Sequence, residues 1–165
     1  MSDPVPMELV GVRIELPTNT PILLLREQEG SRYLPIWIGT PEATAIALAL
    51  EGVEPQRPMT HDLLKLVVER LGASVHQIRV TELREGTFFA DLVLGTDQGE
   101  IVVSSRPSDA IALAARTGSP ITAERALLDE AGVEIQNEDE EEEIERFREF
   151  LEDVTPEDFE AGSPS

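Results

Sequence analysis

At 165 residues, with 41% hydrophobic and 28% charged side chains, the chain carries enough apolar material for one globular domain with its own core. It has no cysteine, which excludes a disulfide framework, a thiolate metal cluster and a cysteine nucleophile. The net charge of −20 is unevenly placed: residues 136–165 hold 13 acidic and 2 basic side chains and residues 1–135 hold 20 and 11, so even the expected folded part repels phosphate unless arginines or divalent cations intervene.

The first ten residues, MSDPVPMELV, lack a basic region followed by an apolar run, and no segment approaches the roughly 20 apolar residues that span a bilayer, so a cytoplasmic location is expected. Residues 7–16 alternate imperfectly, as a half-buried strand would, and Pro17 to Pro21 reads as a turn. Ile22 to Leu25 is a short apolar run, Glu27 to Ser31 a polar hairpin loop, and Tyr33 to Ile38 the next strand. Trp37, the single tryptophan, falls on a strand expected to be central, where core packing or a subunit contact outranks ligand stacking. Gly39 ends that strand, Thr40 reads as an N-cap with Pro41 at the first helical position, and the Ala-rich run to Leu50 suits a buried helix. A loop leads to Thr60, a second cap, and to a helix ending at Leu71, on which Leu64, Val67, Val68 and Leu71 form an apolar stripe.

The same order then returns. Strands are expected over 75–83, 87–94 and 101–104, an Ala-rich helix opens at Pro107-Ser108, and Ile121 to Ala131 reads as a shorter last helix. Phe88 and Phe89 point to opposite faces, one to the core and the other to an interface or a base. Setting Ala45–Ala49 over Ala110–Ala114 aligns the halves at a period of 65 residues. The expected fold class is α+β: duplicated β-β-β-α-α units, about 7–72 and 73–132, with mixed sheets covered by Ala-rich helices in a domain of residues 1–135. Residues 136–165 read as an acidic C-terminal tail, in which Ile144, Phe147, Leu151 and Val154 recur at helical spacing, consistent with a mobile tail holding a nascent helix or with an amphipathic docking helix over 140–153.

Two clusters carry chemistry. In the first, Arg57, Thr60, His61 and Asp62 gather at a helix start, where a histidine beside a carboxylate can act as a general base or share a divalent metal, or can serve only the helix terminus. In the second, Arg106, Ser108 and Asp109 open the second Ala-rich helix, with Arg106 suited to phosphate and the other two to capping. Glu42 occupies a similar helix start in the first half.

The stretches LPIWIGTPEATAIALALEG, RPMTHDLL, EGTFFADLVL and RPSDAIALA, in that order, resemble the bifunctional nuclease domain family, and the Arg-rich, Lys-poor composition resembles its actinobacterial members. That resemblance implies a duplicated α+β domain with RNase and DNase activity. Carried onto this sequence it implies Glu42, His61, Asp62 and Asp109 as catalytic residues and Arg57, Arg106, Thr60 and Ser108 as substrate-binding ones. It also implies Glu42, Asp62 and Asp109 as ligands of a divalent metal, Mg or Mn. The function expected on this basis is cleavage of RNA and DNA phosphodiesters with little sequence preference. The alternative is a non-catalytic, homo-oligomeric regulatory or protein-interaction module, with the tail as the contact for a protein partner.

Overall fold

The computed structural model describes residues 2–134, so the amphipathic helix that the sequence allows over 140–153 lies outside the described residues. The chain divides at Val133/Glu134, and Met1–Val133 holds the four helices and the seven longer strands found among the described residues.

The elements run β1 (Pro4–Glu15), β2 (Thr20–Glu27), β3 (Arg32–Trp37), α1 (Thr40–Leu50), α2 (Thr60–Arg70), β4 (Ser74–Arg84), β5 (Thr87–Thr96), β6 (Gly99–Ser105), α3 (Pro107–Thr117), β7 (Ile121–Glu124), α4 (Arg125–Ala131) and β8 (Val133–Glu134). The strands form a single mixed sheet in the order β6-β5-β4-β7-β1-β2-β3-β8, and the class is α+β. Each half contributes an antiparallel meander, and β7 lies between them, antiparallel to β1 and parallel to β4. β1 and β4 therefore run in opposite directions, as duplicated units related by a twofold axis normal to the sheet require.

Local chemistry accounts for the details. The alternation in β1 is imperfect because a bulge between Leu9 and Gly11 puts Leu9 and Val12 on one face, opposite Leu25 and Leu23. Ile22, Leu23, Leu24 and Leu25 are buried on both faces of β2, which explains its uninterrupted apolar run. Leu23, Leu25, Leu34 and Ile36 from one half meet Ile78, Val80 and Leu92 from the other, and Ile46, Ile111, Leu113, Leu127 and Leu128 of the helices close the core over them. α3 is the central helix, packed on α1, α2, β4 and β5. Gly118, at φ 72°, ends it in the left-handed conformation and donates its N–H to Ala114 O.

Four expectations are corrected. Residues Ile121 to Glu124 form β7 rather than the start of the last helix, because Ile121 and Ala123 alternate inward and the central gap of the sheet needs a strand. The helix starts lie one or two residues earlier than expected: the N-caps are Gly39, Met59 and Arg106, so Thr40, Thr60 and Ser108 stand inside their helices and do not cap. Trp37 is not a core residue but the last residue of β3, with 56% of its surface exposed. Of the stripe expected on α2 only Val68 is buried, while Leu64, Val67 and Leu71 face outward.

Candidate functional site

The first turns of all three long helices meet at α3. Glu42 lies in the first turn of α1, His61 and Asp62 in that of α2, and Arg106 and Asp109 at the start of α3. Arg106 donates from Nε to Asp109 Oδ2 at 2.9 Å and from Nη2 to Glu42 Oε1 at 2.9 Å. His61 Nε2 lies 2.9 Å from Asp109 Oδ1, so one carboxylate holds the imidazole with one oxygen and the guanidinium with the other.

That carboxylate fixes the tautomer. An ionised carboxylate only accepts, so Nε2 of a neutral His61 carries the proton and Nδ1 is left with the lone pair. Burial opposes ionisation of Asp109, but the hydrogen bonds from His61 and Arg106 and the charge of Arg106 outweigh it and hold the carboxyl below its ordinary range. The same carboxylates raise the Arg106 guanidinium further above its ordinary value, with the Asp109 hydrogen bond the largest cause. Arg106 Nη1 has no partner among the described residues, and the side chain is 67% exposed.

Asp62 turns away from this group. Its Oδ2 accepts from Met59 N–H at 3.0 Å, half of a capping box, and its Oδ1 accepts from Arg116 Nε at 2.7 Å. Burial works against its ionisation, yet the bonds from Arg116 and Met59 lower its carboxyl below the ordinary range. His61 and Asp62, adjacent in α2, thus grip opposite ends of α3 at Asp109 and Arg116. Arg116 escapes a reading of the sequence, because a basic residue in a last helical turn is explained by the helix dipole alone.

Of the remaining expected residues, Arg57 and Thr60 are exposed and make no side-chain hydrogen bond or ion pair among the described residues. Ser108 is buried and lines a cleft beside Arg106. Glu42 folds back over Gly39, where a Cβ would lie 2.5 Å from Glu42 Oε2; the glycine leaves room for that carboxylate. Glu42, Asp62 and Asp109 do not make one donor set: Arg106 stands between the first and the last, and Asp62 belongs to Arg116. Among the described residues no three His, Asp or Glu side chains are placed to hold a metal ion.

The two lowered carboxyls predict acid sensitivity. A carboxyl whose folded value lies below its unfolded value of about 3.9 adds stability that is complete above roughly pH 5 and is lost as the pH falls from about 4 down through the lower folded value. Thermal melts from pH 7 to pH 3 will show Asp62→Asn and Asp109→Asn each less stable than the parent at neutral pH, with the gap closing toward pH 3. Parallel curves would mean that neither carboxylate is held ionised by the fold.

The family model described as Bifunctional nuclease domain matches residues 23–136. An uncharacterized protein of Mycobacterium tuberculosis is 50% identical over 163 residues, covering 94% of this chain and 98% of its own length. Bifunctional nuclease 1 of Oryza sativa subsp. japonica is 28% identical over 68% of this chain, and Bifunctional nuclease 2 of Arabidopsis thaliana is 30% identical over 73% of it. The aligned part is 35% and 38% of those plant proteins, so the chain spans little more than a third of their length.

Proposed function

We propose that this chain, which belongs to the bifunctional nuclease domain family, is a phosphodiester hydrolase acting on RNA and DNA with little sequence preference, and that His61, Asp109 and Arg106 carry the reaction. The observation that supports this most is the shared Asp109 carboxylate, which orients an imidazole and a guanidinium at one point. His61 Nδ1 takes the proton of the attacking hydroxyl, a 2′-OH in RNA or a water, as that oxygen bonds to phosphorus and the P–O bond to the leaving strand breaks. Asp109 stabilises the imidazolium that forms, which then gives up its proton through solvent to the departing oxygen. Arg106 offers its unused Nη1 edge to the phosphate, and Glu42 fixes the direction of that edge.

Mg or Mn dependence is a separate proposal. The side chains as arranged do not fit a metal, since a cation would have to displace Arg106 from Glu42 and Asp109. A cytoplasmic location belongs to the same reading; among the described residues no helix is long and apolar enough to cross a membrane. The deciding experiment is cleavage of labelled single-stranded RNA and duplex DNA by highly purified full-length protein, with Mg, with Mn and with EDTA. Metal-independent cleavage supports the residues named here, cleavage abolished by EDTA supports the metal, and none under any condition sinks the nuclease.

A second reading, assembly with another copy, is favoured by one specific observation. In the edge strand β6 every residue but Ser105 is exposed, including Ile101, Val102 and Val103. An edge with neither proline nor lysine on it is open to pairing. A twofold axis through Val102 would set Ile101 against Val103 and Glu100 against Ser104, with no like charges opposed. Sedimentation of the parent and of Val102→Lys separates this from a monomer. A contact of the acidic tail with a protein partner is also part of this reading, and its residues lie outside those described.

A further inference from the structure

A cleft of about 330 Å³ opens between the end of β3, the β4–β5 turn and the start of α3, and Trp37, Gly39, Gly86, Phe88, Arg106 and Ser108 are among its walls. Trp37 stands 56% exposed at its rim, and Phe88 packs on the core while remaining partly open. An indole left in water forgoes the burial that normally places tryptophan inside, and at a cleft mouth it offers a large flat apolar face of the kind on which a flat ring can stack. The volume falls at the small end of the range for ligand pockets. The same wall carries Arg106, whose Nη1 is unused.

We propose that this cleft is a nucleobase subsite, in which an unpaired base stacks on Trp37 beside Phe88 while the adjoining phosphate meets Arg106. The inference rests on the nuclease reading and sharpens it to a substrate class: strands that are single where they are held. Bases of a duplex are already stacked on one another and cannot present a face to the indole without being flipped out. The charge of the chain points the same way. At a net −20, phosphate contacts gain little, whereas stacking on an aromatic face is indifferent to the protein's long-range field.

Because Trp37 is the only tryptophan, its fluorescence reports on this cleft alone. Full-length protein is titrated with a short single-stranded oligothymidylate, with an abasic strand of the same length and with a blunt duplex. Saturable quenching by the first and not by the other two is expected. In parallel, anisotropy of a labelled oligothymidylate should show Trp37→Leu binding about tenfold more weakly and Trp37→Phe in between. Equal quenching by the abasic strand, or unchanged affinity in Trp37→Leu, overturns the subsite. Cleavage assayed on the same preparations keeps the two readings apart. Cleavage without a Trp37 effect leaves the nuclease standing and removes the subsite, while quenching without cleavage does the reverse.

Discussion

His61→Gln is expected to lower phosphodiester cleavage by roughly 10²- to 10⁴-fold, the usual contribution of a general base, while leaving the melting temperature close to that of the parent. The choice of glutamine follows from the geometry. Its amide N–H₂ can take the place of His61 Nε2 and donate to Asp109 Oδ1, so the tie between α2 and α3 survives, but nothing replaces the lone pair on Nδ1. His61→Ala removes both the base and the tie. His61 is only 8% exposed, so the alanine variant should also lose about 1–3 kcal/mol of stability, by cavity formation and the lost hydrogen bond. Initial rates on single-stranded RNA and thermal melts of all three proteins decide the matter. A glutamine variant that cleaves at the parental rate would reduce His61 to a structural tie.

The largest effect on stability is expected from Leu113→Ala. Leu113 is fully buried in α3, the helix that touches both other long helices and strands β4 and β5, so its side chain can be removed only by leaving a cavity that many neighbours share. Such truncations cost about 2–5 kcal/mol, a large part of the 5–15 kcal/mol that holds a domain together. Around 3 kcal/mol would lower the melting temperature by roughly 10 °C. Urea unfolding gives the figure directly, and a loss under 1 kcal/mol would show that α3 is not the centre of the core. Since α3 also carries Arg106, Asp109 and Arg116, the variant tests whether site and core share one support.

How much of the molecule is legible in its residues depends on the kind of information each feature needs. Strands and Ala-rich helices are written locally, in the alternation of β1 and the run from Ala43 to Leu50, and they appear where expected. The apolar residues of α2 and Trp37 mislead for a single reason: periodicity says that a face is apolar, not what covers it, and here Leu64, Val67, Leu71 and Trp37 are exposed. β7 escapes because Ile121 to Ala131 is one apolar-rich stretch, and the break between strand and helix is set by the gap beside β1 and β4. The Ile121-Thr122 pair after Ser119-Pro120 is the available hint. For the site, residue types can be named but not their convergence. Glu42, His61 and Asp109 are brought near one another only by the packing of α1, α2 and α3, and Arg106 between two carboxylates is a fact of space, not of spacing.

The position of β7 governs the order in which the molecule can be completed. Pro4–Met7 pairs with Ile121–Glu124, so during synthesis β1 finds its inner neighbour only after nearly the whole domain has been made. Until then the inner edges of both meanders are bare, and β1 and β4 have nothing to hydrogen-bond between them. A short segment near the end of the domain is thus a keystone: during synthesis the sheet cannot become continuous until Ile121–Glu124 has been made, however early the two meanders form.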